Sequence, residues 1–160
     1  MLRYRLTRRG VLRLGLGSAA LAFTGRAQGE AIRVGLVNPL SGVYAALGRN
    51  ELEGARMAVD DVNLRGGVLG RRLELLAEDS AAKTDLGVQK LRKLVERDRI
   101  QFSLGEVSSG VSLALSQTAA EYKMLHIVTG GHADDITGKS CRWNTFRIPT
   151  SGSMEANAIG

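Results

Sequence analysis

The 160-residue sequence has one cysteine, Cys141, and two histidines, His126 and His132. A lone thiol cannot close an internal disulfide even in an oxidising compartment. Cys141 is left either to pair outside these residues or to sit as a buried thiol near a loop. So few soft ligands form no recognisable metal cluster, and the paired acids Asp60-Asp61 and Asp134-Asp135 read as a solvated helix face or turn. The first strand-like run lacks a following Gly-x-Gly-x-x-Gly; Asn-Pro-Leu-Ser-Gly (38–42) stands there instead. The pyrophosphate cradle of a dinucleotide-binding enzyme is therefore absent. No internal repeat, low-complexity tract or apolar run of the ~20 residues needed to cross a bilayer is present.

The chain carries 22 basic and 16 acidic residues, for a net charge of +6. Taken alone, that excess invites a nucleic-acid or membrane-surface partner. Its position removes the invitation, because residues 1–27 hold six arginines and no acid, and the remainder is formally neutral. Those 27 residues have a basic start, an apolar middle from Val11 to Phe23 and a small-residue exit at Gly25-Arg26-Ala27, the pattern of a secretory signal cleaved near Ala27. Thr7-Arg8-Arg9-Gly10-Val11-Leu12-Arg13 resembles the twin-arginine export signal. The expected destination is the periplasm, with no nucleic-acid partner.

From residue 28 onward, short apolar runs alternate with amphipathic segments, the signature of βα units around a parallel sheet. Strands are expected at 32–37, 73–77, 100–104, 124–128 and 146–148. The first ends at Asn38-Pro39, because proline cannot donate to a ladder. Helices are expected at 51–65, stopped by Gly66-Gly67 and burying Leu52, Ala55, Val59 and Val62; at 85–97, burying Val88, Leu91 and Val95 with Thr84 as N-cap; up to Glu121, burying Val111, Leu115 and Ala119; and from near Ser151. His126 falls inside an apolar strand and reads as a structural residue whose polar atoms are satisfied.

In an open parallel sheet, ligands bind outside the carboxyl ends of the strands, where helix N-termini present free N–H groups. Two small-residue turns fit that role, Ser108-Ser109-Gly110 and Thr129-Gly130-Gly131-His132.

Several fragments, in order and spacing, resemble branched-chain amino-acid (leucine/isoleucine/valine) binding proteins of ABC importers: Leu-Val-Asn-Pro-Leu-Ser-Gly (36–42), Gly48, Gly54-Ala55, Ala58-Val59, Val62-Asn63, Gly66-Gly67-Val68-Leu69-Gly70 and Glu78-Asp79. The resemblance covers 32–160 and implies a type I periplasmic binding protein fold: α/β, three-layer, with a parallel sheet and helices on both faces. It implies that 28–160 is an incomplete N-terminal lobe of a protein more than twice this length, so a sheet edge and apolar surface are expected to be exposed. By the resemblance, Ser108, Ser109 and neighbouring N–H groups receive a ligand carboxylate, the Gly130 carbonyl accepts from an ammonium, and Gly131 and His132 complete the second turn. Amino-acid binders more often carry Thr or Ser where this chain has His132.

An imidazole there can donate to an anion, stack on a flat ligand or change charge near neutral pH. The ligand class therefore spans branched-chain amino acids, related carboxylates, amides and aromatic acids. His132 either contacts that ligand or caps the turn at Asp134-Asp135; Ser109 either contacts it or caps a helix. Leu47 and Ser41 in the first loop either line the cleft or pack the loop. ABC permease subunits are the implied partners, and no cofactor, metal or catalytic residue is expected. A sensory ligand-binding domain of a receptor is the alternative, since it uses the same lobe. A hydrolase triad of Ser109, His126 or His132 and Asp134 can be drawn, but nothing in the spacing requires it.

Overall fold

A computed structural model describes residues 29–160; the export signal expected at 1–27 lies outside the described residues. Five parallel strands, β1 (Ile32–Asn38), β2 (Leu73–Asp79), β3 (Phe102–Leu104), β4 (Leu125–Val128) and β5 (Thr145–Arg147), lie side by side in the order β2-β1-β3-β4-β5. Helices α1 (Ala45–Leu64), α2 (Thr84–Glu96) and α3 (Ser109–Glu121) join the first four strands, a 3-10 turn (Asp134–Ile136) precedes β5, and α4 (Gly152–Ile159) follows it. The direction of travel reverses once, at β1. With right-handed crossovers, that reversal puts α1 on one face of the sheet and α2 with α3 on the other, and α2 packs directly on α3.

The register shows which side chains face which layer. Strand side chains alternate, so Val37 and Val34 of β1 point to opposite faces. Val37 joins Leu91 and Leu94 of α2, Val111, Leu115 and Ala119 of α3, and Ile100 and Met124 in the main core. All eight are 7% exposed or less, and this layer supplies most of the hydrophobic stabilisation.

On the α1 side, Leu36, Leu104, Ile127 and Phe146 lie next to one another across the sheet. Helix α1 packs on β1 and β2. Toward the other end of the sheet, Phe146 is 59% exposed and Ile148, just beyond β5, is 72% exposed. The expected exposed apolar surface is therefore a sheet face at the β5 end.

The first helix departs from the expected boundaries. It begins at Ala45, not Glu51, because Gly42 closes a turn in which its carbonyl accepts from the Ala45 N–H, and no breaker follows. Leu47 is thus a helical residue and not a loop residue, and it is 54% exposed. Within α1, Leu52 is buried, whereas Ala55, Val59 and Val62 are half-buried.

Thr84 is not an N-cap. Lys83 holds the extended cap position and no side chain caps α2. The buried stripe of α2 is Gly87, Leu91 and Leu94, with Val95 packed beside the core; one turn of 3.6 residues accommodates either 91/94 or 91/95. Ser151 does cap α4, its hydroxyl accepting from the Met154 N–H at 3.3 Å. Cys141 is exposed, which removes the buried-thiol reading.

His126 is fully buried and only half satisfied: Nδ1 pairs with the Ser103 hydroxyl at 2.9 Å, while Nε2 has no partner among the described residues. Burial pushes its pKa down to about 4, so the ring is neutral.

Gly48 shows how closely the chain is packed at the carboxyl end of the sheet. A β-carbon there would collide with the Pro39 carbonyl. Gly48→Ala is expected to destabilise the fold by about 1–3 kcal/mol, read as a lower urea midpoint with unchanged slope.

Candidate functional site

The strand order reverses between the adjacent strands β1 and β3, and in such sheets a crevice opens outside the carboxyl ends at that point. Turn three (residues 105–108) follows β3 and turn four (residues 129–133) follows β4. The two turns are in contact. Ser109, the first residue of α3, accepts on its Oγ from the His132 N–H and the Ala133 N–H, both at 3.1 Å. A β-carbon on Gly130 would lie 3.0 Å from the Val107 Cα.

Ser109 therefore caps turn four and not its own helix. Ser108 occupies the N-cap position of α3 without a side-chain bond. An oxygen that accepts two N–H groups still has its own proton to donate. The first-turn amides of α3 have no carbonyl partner within the helix and carry its positive end. Ser108, Ser109 and Gly130 are half-buried.

Other expected site residues are placed differently. Gly131 is buried, with Ile136, Ser112 and Val128 filling the space around its Cα, so it serves packing. His132 is exposed, and its Nδ1 lies 2.7 Å from Glu155 Oε1 of α4. The Thr150 hydroxyl donates to the same oxygen at 2.5 Å. Neither Asp134 nor Asp135 takes the imidazole. Asp134 instead accepts from the Ser153 N–H at 3.2 Å, and Asp135 pairs with Lys139 at 3.0 Å. Leu47 sits on the exposed side of α1 and Ser41 donates to Asp79 at 2.6 Å. Asp79 also accepts from the N–H groups of Leu40 and Ala81, each at 2.8 Å, which ties the loop after β1 to the end of β2.

Beneath the two turns lie two carboxylates that sequence reasoning passed over. Glu51 of α1 accepts on Oε2 from Asn38 Nδ2 at 2.8 Å and from the Thr129 hydroxyl at 2.5 Å, joining the ends of β1 and β4. A β-carbon at Gly130 would collide with Glu51 Oε1, so the absence of a side chain at 130 makes room for this acid. Glu106 is fully buried at the end of β3 and accepts from the Ser80 hydroxyl at 2.5 Å and the Ser108 N–H at 3.1 Å. Burial raises its pKa, the nearby Glu51 charge adds to that, and its donors only partly offset the rise. The sequence signal was weak: Glu51 is one of several charged residues on α1, and Glu106 stands alone in a small-residue turn.

Residues 31–160 match a family model described as periplasmic binding protein. The Leu/Ile/Val-binding protein BraC3 of Rhizobium johnstonii is 39% identical over 119 residues, covering 74% of this chain and 32% of that protein. Among solved structures, the substrate-binding protein of a Streptococcus pneumoniae branched-chain amino acid transporter, bound to isoleucine, superposes with a TM-score of 0.71 at 26% identity. That match covers 76% of this chain and 34% of the other. An ABC transporter solute binding protein from R. palustris, bound to benzoate, gives 0.71 at 30% identity, covering 78% and 34%. The chain spans about a third of the length of the curated relatives it matches.

The Glu106 proton makes stability depend on pH. The folded protein retains a proton that the unfolded chain releases near the ordinary value of 4.5. Its stabilising share is therefore complete below that pH and is lost as pH rises through the raised folded value. Glu106→Gln keeps the shape and cannot ionise. Its melting temperature is expected to match wild type near pH 4 and to exceed it at pH 8, checked by melting both proteins across that range.

Proposed function

The chain belongs to the periplasmic binding protein family, and from that premise we propose that it is the ligand-binding first lobe of an extracytoplasmic solute-binding component of an ABC importer. In this reading residues 1–27 are a twin-arginine-like export signal cleaved near Ala27, and 28–160 form one wall of a cleft that a second lobe closes. The ligand is a small carboxylate: a branched-chain amino acid, or a related amide or aromatic acid. Permease subunits in the inner membrane receive the loaded protein.

One observation carries the reading. The Ser109 hydroxyl fixes turn four against the N-terminus of α3, so a half-buried hydroxyl, helix-end amides and the Gly130 backbone converge on one place. That set matches a carboxylate, because charge-assisted N–H and O–H donors are the groups it accepts from. The site needs no chemistry beyond binding. Relatives bearing the same lobe are named as binding proteins, with isoleucine or benzoate in the two described above.

Ser109→Ala removes the donor to the ligand and also frees two turn amides. In the full-length protein, ligand affinity is expected to fall roughly 10- to 100-fold, the equivalent of about 1.5–3 kcal/mol for a hydrogen bond to a charged group. Calorimetry against leucine, isoleucine, short amides and benzoate tests it. A variant that binds as tightly as wild type, or a wild type that binds none of these, removes the two turns from the site.

A further inference from the structure

The sheet end beneath turns three and four offers more acceptors than donors. Glu51 Oε2 is occupied by Asn38 and Thr129, whereas Oε1 takes no hydrogen bond among the described residues. Asn38 is fully buried and its Oδ1 also has no donor. Both oxygens of Glu106 already have partners, Ser80 and the Ser108 amide. Arg49 donates to the Leu40 carbonyl at 3.1 Å and Arg147 to the Ala133 carbonyl of turn four at 2.7 Å, and neither is bonded to Glu51 among the described residues.

The wall above this floor is the opposite in character. It presents the α3 amides and the Ser109 hydroxyl, all donors. Donors on one part and surplus acceptors on the next are complementary to a ligand that carries an anion and, beside it, a cation or N–H-rich group. A bare anion would meet the wall's donors but also the Glu51 charge, which an adjacent cation or N–H group on the ligand would offset. The carboxylate's field already reaches its neighbour, since after burial it contributes to holding the Glu106 proton in place.

We propose that Glu51 is the specificity-determining residue of this site, selecting ligands that carry an ammonium or amide next to their carboxylate over the corresponding simple acids. The inference rests on turns three and four forming the ligand wall. Glu51 acts from behind Gly130: its Oε1 fills the volume a side chain at 130 would take, placing a fixed negative charge behind the backbone of turn four. Asn38 and Thr129 hold it there.

The test uses the full-length protein and two probes of nearly equal shape, leucine and 4-methylpentanoate, which lacks the amino group. Wild type is expected to bind leucine at least tenfold more tightly, the size of one charge-assisted contact. Glu51→Gln, similar in shape and uncharged, is expected to shrink that ratio to about threefold or less while its melting temperature stays cooperative. Glu51→Asp retains the charge and is expected to keep the preference, with both affinities lower. An unchanged ratio in Glu51→Gln, or an equal loss of both probes in Glu51→Gln and Glu51→Asp, overturns the inference and leaves the binding function standing. Should Glu51→Gln fail to fold, Glu51→Asp decides, because loss of the preference with the charge retained overturns it. Wild type that binds the two probes equally overturns the inference alone. Wild type that binds neither probe, and neither short amides nor benzoate, overturns the reading of the site together with it.

Discussion

Glu51 reaches from α1 across the end of the sheet, and on that reach the geometry of the two turns depends. Its Oε2 joins Asn38 at the end of β1 to Thr129 after β4, passing over β3 between them. Parallel strands have no hairpin to join their ends, and this contact ties two of them together at the C-terminal edge. Gly130 has no side chain in the space Glu51 needs, and Gly48 lets α1 approach Pro39 closely enough for the carboxylate to arrive. The helix, both glycines and three strand ends thus form one arrangement. The Ser109 contact with turn four lies directly above it.

Much of the architecture was legible because burial patterns are local. The run Ile32–Val37 with Asn38-Pro39 behind it marks β1, and the spacing of Val111, Leu115 and Ala119 marks the buried face of α3. Helix boundaries were less legible where local chemistry is permissive. Nothing between Ala45 and Glu51 forbids helix, so the start of α1 was set by the Gly42 turn, which periodicity does not encode. Thr84 offers a suitable hydroxyl, yet the chain enters α2 one residue earlier in extended form at Lys83.

The position of the two turns was legible, and their contacts were less so. The small-residue turns after β3 and β4 follow from sheet topology, and Ser109 stood out as a serine at a helix start. That its hydroxyl would accept from the next turn, that Gly131 would be enclosed by Ser112 and Ile136, and that His132 would turn to Glu155 are long-range facts. Apart from Gly131 with Ile136, each joins residues about 20 positions apart, beyond any helical or strand period. Glu51 escaped notice because an acid on an amphipathic helix normally faces water, and Glu106 because an acid in a turn normally does too; only the folded sheet shows that these two lie beneath the turns.

The Ser109 contact bears on what association costs. A serine hydroxyl free to rotate has three staggered wells, and choosing one on contact with a solute loses entropy. Here two amides, from His132 and Ala133, already hold the oxygen, so the choice is made when the chain folds. In the proposed site an arriving solute would meet a donor with its direction settled, and freezing that rotor would not weaken its capture.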